Sequence, residues 1–154
     1  QFYYYFKSKE KLIFETIKIK ELEFTKIIKE NILKENDFLE KLFEYFAFIL
    51  NDKEKIFIDA RKIMFESIHL YLHPKYKEEM KSYESTFSDM YQIIEDIFDD
   101  EIKKGFLKED SKESIKIILA TVDGMYYHSL ILSNYNLKKT VTDYLIQTTN
   151  QLKK

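Results

Sequence analysis

The chain has 154 residues, 45% hydrophobic and 34% charged, which is enough to bury one core and too apolar for a disordered segment. Two glycines and one proline are too few for the turns of an all-β fold, and the absence of cysteine excludes disulfide frameworks, thiolate zinc sites and cysteine nucleophiles. Net charge is -2, which by itself argues against a nucleic-acid binder, but the distribution matters more: five lysines against two glutamates give residues 1–20 a net +3 and leave -5 on the rest.

In chain order, residues 1–6 are expected to be the end of one helix abutting the next. Ser8 is a natural N-cap for a helix over 8–33, whose apolar positions Leu12, Ile13, Ile17, Phe24, Ile27 and Ile28 recur at helical spacing. Asn36 or Asp37 caps a second helix reaching Leu50. A third spans 53–72, and Pro74 closes it and opens a fourth over 75–104, with a break near 83–85 as an alternative. Gly105, behind Lys103 and Lys104, is a C-cap. Asp110 with Glu113 three residues on is a capping-box start for a helix reaching Leu132, and the last helix covers 137–152. With no repeat or linker between them, these elements form one all-α bundle. No uncharged apolar run reaches about 18 residues and no signal-peptide pattern occurs, so a cytoplasmic location without membrane contact is expected.

The opening Tyr3-Tyr4-Tyr5-Phe6, followed by Lys7-Ser8-Lys9-Glu10-Lys11-Leu12, resembles the junction between the recognition helix and the long fourth helix in the TetR family of bacterial transcriptional regulators. Lys104-Gly105-Phe106-Leu107 is similar to the connection many members carry before their penultimate long helix. The resemblance implies a TetR-like bundle in which 1–33 are the end of the DNA-binding head, with a recognition-helix remnant at 1–6, and the connecting helix. It implies that 34–154 form the effector-binding and dimerisation domain. The family places two further helices and a turn before this point, so the chain is read as truncated at its N-terminus. Gln1, Tyr3, Tyr4, Tyr5 and Lys9 then contact operator bases and phosphates. Taken alone, an aromatic run is more often a hydrophobic plug; the lysine-rich continuation favours the regulator.

Twelve tyrosines and thirteen phenylalanines are a heavy aromatic load, and the resemblance implies that such a core houses an effector. The expected lining is Phe46, Phe57, Met64, Phe65, Phe87, Tyr91, Met125, Tyr126 and His128, each of which also reads as plain core. The last two helices carry more apolar positions than one core-facing stripe requires. The resemblance implies that this pair packs against its twin, which assigns Ile115, Ile118, Leu119, Val122, Leu130, Val141, Tyr144, Leu145 and Thr148 to a homodimer interface, as a palindromic operator demands; the alternative is that these helices only complete the monomer core.

Glu66, His69 and His73 share a helix face at the spacing of a carboxylate–histidine metal element, but no second Glu-x-x-His exists to complete a di-iron bundle, and a solvated face is preferred to a zinc or nickel site. No phosphate loop, nucleophile elbow or His-Glu-x-x-His occurs, so the chain reads as a non-enzyme without a cofactor. The expected function is a ligand-responsive DNA-binding regulator, a repressor released from its operator by a small hydrophobic or aromatic effector. The alternative is a helical ligand carrier or protein-interaction module that does not bind DNA.

Overall fold

A computed structural model of the chain describes residues 9–66 and 73–154; the side chains of residues 9, 10, 64, 66, 78–80 and 82–87 lie outside that description. The described residues are all-α. Helix α1 (Lys9–Ile32) contains neither glycine nor proline and runs 24 residues, about 36 Å at 1.5 Å per residue. Asp37 starts α2 (Phe38–Tyr45), its carboxylate accepting from the amides of Leu39 at 2.8 Å and Glu40 at 3.2 Å.

The expected single helix to Leu50 is divided. Tyr45 to Leu50 are six consecutive buried residues, and one straight helix against one core can bury only every third or fourth position. Phe46 leaves helical geometry (φ -93°, ψ 18°) and redirects the chain into the single turn α3 (Ala47–Leu50), which lets the whole run turn inward.

Asn51 then accepts from the amides of Lys53 and Glu54 while its own amide donates to Glu54, and α4 (Lys55–Glu66) follows. A 3-10 turn at Pro74–Tyr76 leads into α5 (Lys77–Lys103), which is continuous through 83–85. Gly105 ends α5 at φ 77°, where its amide reaches Ile102 O and that of Phe106 reaches Glu101 O, the paired bonds of a Schellman cap.

The capping box expected at Asp110 does not form. Residues Glu109–Ser114 are a 3-10 turn, and α6 starts only at Ile115, running to Ile131. Ser111 is drawn into the interior, its hydroxyl donating to Leu152 O at 3.4 Å, which tightens the segment before the helix proper. Asn136 caps α7 (Leu137–Leu152) by accepting from the Lys139 amide. The chain end is clasped to the turn after α5: Leu107 and Lys153 pair antiparallel, with Lys108 N donating to Leu152 O and Lys154 N to Phe106 O.

One core gathers Phe24 and Ile28 of α1, Phe38 and Leu42 of α2, Phe57 of α4, Ile94 and Phe98 of α5, Val122 of α6 and Leu145 of α7, so residues on both sides of position 33 share it. A smaller cluster, Phe14 and Ile17 with Ile13, Ile63 and Tyr76, holds the first half of α1. No described helix is long and apolar enough to cross a membrane.

Candidate functional site

Gln1, Tyr3, Tyr4 and Tyr5 lie outside the described residues, as does the side chain of Lys9, the first residue of α1. The aromatic stretch therefore abuts a helix whose two halves are held differently: Phe14 and Ile17 pack in the small cluster, Phe24, Ile28 and Ile32 in the main core.

The expected effector-pocket residues divide by depth. Phe46 and Phe57 are fully buried, with ring centroids 4.9 Å from Tyr45 and 5.9 Å from Phe24 respectively, in edge-on core packing. Phe65 of α4 stacks on Tyr126 of α6, centroids 3.6 Å apart and planes 19° apart, and Tyr91 and Met125 are half-buried beside the same core. Next to them Tyr45 donates its hydroxyl to Met90 O at 3.1 Å, and burial pushes its pKa well above the usual phenol range. His128 is on the other side of α6, exposed and edge-on to Tyr135, because two residues along a helix turn a side chain through roughly 200°. The Met64 and Phe87 side chains lie outside the described residues.

Two hollows stand out on the described surface. The smaller, about 20 Å³ between Phe24, Phe48, Ala60 and Ile63, holds a single water at most. The larger is an open cleft of about 470 Å³ lined by Ile49, Asp52, Arg61, Ser133, Asn134, Tyr135, Asn136, Leu137 and Lys138, and it shares no residue with the expected pocket. Arg61, the single arginine, is positioned in it by one nitrogen: Nη1 donates to Ile49 O at 3.3 Å and to Asp52 Oδ1 at 3.0 Å.

The residues assigned to the dimer interface divide by burial. Ile115, Ile118, Val122, Val141, Leu145 and Thr148 are buried inside this chain's own core, Leu119 and Tyr144 are half-buried against it, and Leu130 alone of the set is exposed. All but Leu130 belong to the inner stripe of α6 and α7, which a single copy already covers. The uncovered apolar stripe runs along the opposite side of α6 through Ile117 (66% exposed), Ala120, Gly124, Tyr127 (62%) and Ile131 (62%), and Ile146 of α7 is exposed as well. The spacing of Ile117, Gly124 and Ile131 at seven-residue intervals was the available signal.

Glu66 and His69 lie outside the described side chains, and His73 is exposed with Nδ1 accepting from the Lys75 amide at 3.2 Å. Among the described residues no group of three His, Asp or Glu side chains is arranged to hold a metal ion. Comparison with protein-family models, with curated proteins and with solved structures returned no match.

Proposed function

We propose that this chain is the body of a ligand-responsive, TetR-like DNA-binding regulator that works as a two-fold dimer and represses until a small apolar or aromatic ligand is bound. The observation that carries the reading is α1. It starts at the lysine-rich end of the Tyr-Tyr-Tyr-Phe run and continues unbroken for 24 residues into the core formed with α2 and α5. Among the described residues its first half packs in the small Phe14–Ile17 cluster, so a shift of α4, which contributes Ile63 to that cluster and Phe65 to the stack on Tyr126, moves the start of α1 relative to its end. A ligand against Phe65, Tyr91 and Tyr126 then changes the separation of two heads that must match half-sites about 34–36 Å apart. A coupling of about 1–3 kcal/mol suffices for such a response.

The dimer is assigned to the outer face of α6. The stripe is self-complementary about Gly124: Ile117 and Ile131 each lie seven residues from it, and the small Ala120 and Thr121 lie across from the larger His128 and Tyr127. An isologous contact requires that pattern, with residue i meeting j and j meeting i. The interaction-module alternative draws on the same uncovered face, with a different protein as its occupant.

The test is fluorescence anisotropy of the complete reading frame's product on DNA from its own upstream region, titrated with salt. Tight binding to one palindromic segment over scrambled DNA, weakening steeply with salt, is the expected result. Absence of binding even to nonspecific DNA at low salt removes the regulator reading and leaves the interaction module.

A further inference from the structure

We propose that the 470 Å³ cleft between α4 and the α6–α7 turn is a binding site for a small oxyanion, a carboxylate or a phosphate, gripped by Arg61. The site is separate from the aromatic residues invoked above, and the proposal stands whether or not the chain binds DNA.

Three observations converge on it. The volume suits a small molecule. Arg61 is mostly buried and its orientation is set through Nη1 alone, by Ile49 O and Asp52; among the described residues its Nε and Nη2 make no hydrogen bond. A guanidinium fixed on one side and open on the other presents the planar fork that matches an oxyanion in two parallel bonds, and the ordering that a free arginine would undergo on binding is already done. Ser133, Asn134 and Lys138 line the same cleft, and among the described residues the Lys138 ammonium makes no ion pair and the other two side chains no hydrogen bond.

The charges favour an anion. Arg61 and Lys138 outnumber Asp52, which is itself well exposed and sits on the Nη1 side of the guanidinium, away from the open fork. The buried Ile49 supplies an apolar floor, which suits a head group carried on a short apolar body. The occupant would tie α4 to the start of α7, two elements that the described hydrogen bonds do not otherwise join at this end.

The experiment is a pair of amide NMR titrations of the 154-residue chain, one with sodium benzoate and one with inorganic phosphate, at ionic strength held constant with sodium chloride. Saturable shifts confined to Arg61, 49–52 and 133–138 are expected with at least one salt. Benzoate alone assigns the head group as carboxylate, phosphate alone as phosphate, and both as a general oxyanion site. Arg61→Gln should weaken binding about tenfold or more, as loss of a charged bidentate contact does, with Arg61→Lys intermediate because it keeps the charge and loses the fork. Because Arg61 also ties Ile49 O, Lys138→Gln, at an exposed position in the first turn of α7, serves as the second variant, with a loss of about two- to fivefold and an unchanged melting temperature. The proposal is overturned if neither salt saturates, if the shifts scatter over the lysine-bearing surface, or if Arg61→Gln and Lys138→Gln bind as the parent does.

Discussion

The two glycines occupy opposite physical situations. Gly105 sits at φ 77°, where a side chain is strained, although a Cβ there would meet nothing within 4 Å. Gly105→Ala should therefore cost about 1–2 kcal/mol in urea denaturation, all of it backbone strain. Gly124 lies inside α6 at ordinary helical geometry with open space beside it. Gly124→Ala should stabilise the isolated subunit by about 1 kcal/mol through helix propensity and the lost freedom of the unfolded chain. The cap at Gly105 and the cap at Asp37 were legible because one residue type in one place explains them. The failed cap at Asp110 was not, since its local pattern is outweighed by Ser111 reaching a carbonyl about forty residues away.

Charge at the end of α5 gives a second residue-level expectation. Lys41 and Glu101 are buried together, side chains 9% and 5% exposed, with Nζ and Oε1 2.8 Å apart, and Lys104 donates to the same oxygen. Glu101→Ala would leave the buried Lys41 ammonium with only the exposed Asp100 carboxylate, 3.8 Å away, and should cost about 3 kcal/mol, whereas Lys41→Met with Glu101→Leu should be nearly neutral. Asp100 behaves differently. The hydrogen bond from Lys104, with its charge, holds the exposed Asp100 carboxyl below the usual range. A depressed carboxylate contributes stability above its unfolded pKa and loses it as pH falls through the folded value. The deficit of Asp100→Asn, read as a urea midpoint, should then be small near neutrality and vanish at strongly acid pH.

At the scale of elements, helix existence and order were readable from apolar spacing, and the boundaries of α1, α5 and α7 fall within a few residues of expectation. The break at Phe46 was not readable, because the run from Tyr45 to Leu50 satisfies a helix as well as a kink until the surrounding core is known. Phe46 is fully buried where α2 gives way to α3, with its ring against Tyr45 and Phe48. Phe46→Ala should cost about 3–5 kcal/mol. Phe46→Leu, which keeps most of the volume, should recover most of that loss in the same urea titration. If both variants lose equally, the aromatic edge contacts rather than the filled space hold the kink.

The whole molecule turns on what covers α6. Its inward stripe is covered within one chain, and the sequence left interface and core open there because it marks which positions are apolar, not which of two apolar sides a neighbour already fills. The outer stripe of a 17-residue helix is about 25 Å long and 10 Å wide, about 250 Å² per copy. A stable interface needs about 800 Å² per partner, so α6 alone falls short and α7, with its exposed Ile146, must join it. That area argument orders the variants. Ile117→Glu, at the end of the stripe predicted to meet Ile131 of a second copy, should shift the sedimentation-equilibrium mass to that of one 18.8 kDa chain while leaving helicity and melting behaviour of the subunit intact. Ile146→Glu, at the margin, should weaken association by less. Ile118→Glu, one residue away and buried, should instead unfold the subunit, because a helix position one residue on turns from the outer face to the core. Parent protein that already sediments as a single chain across the micromolar range would remove the two-fold dimer, and with it the geometry by which paired heads read a palindrome.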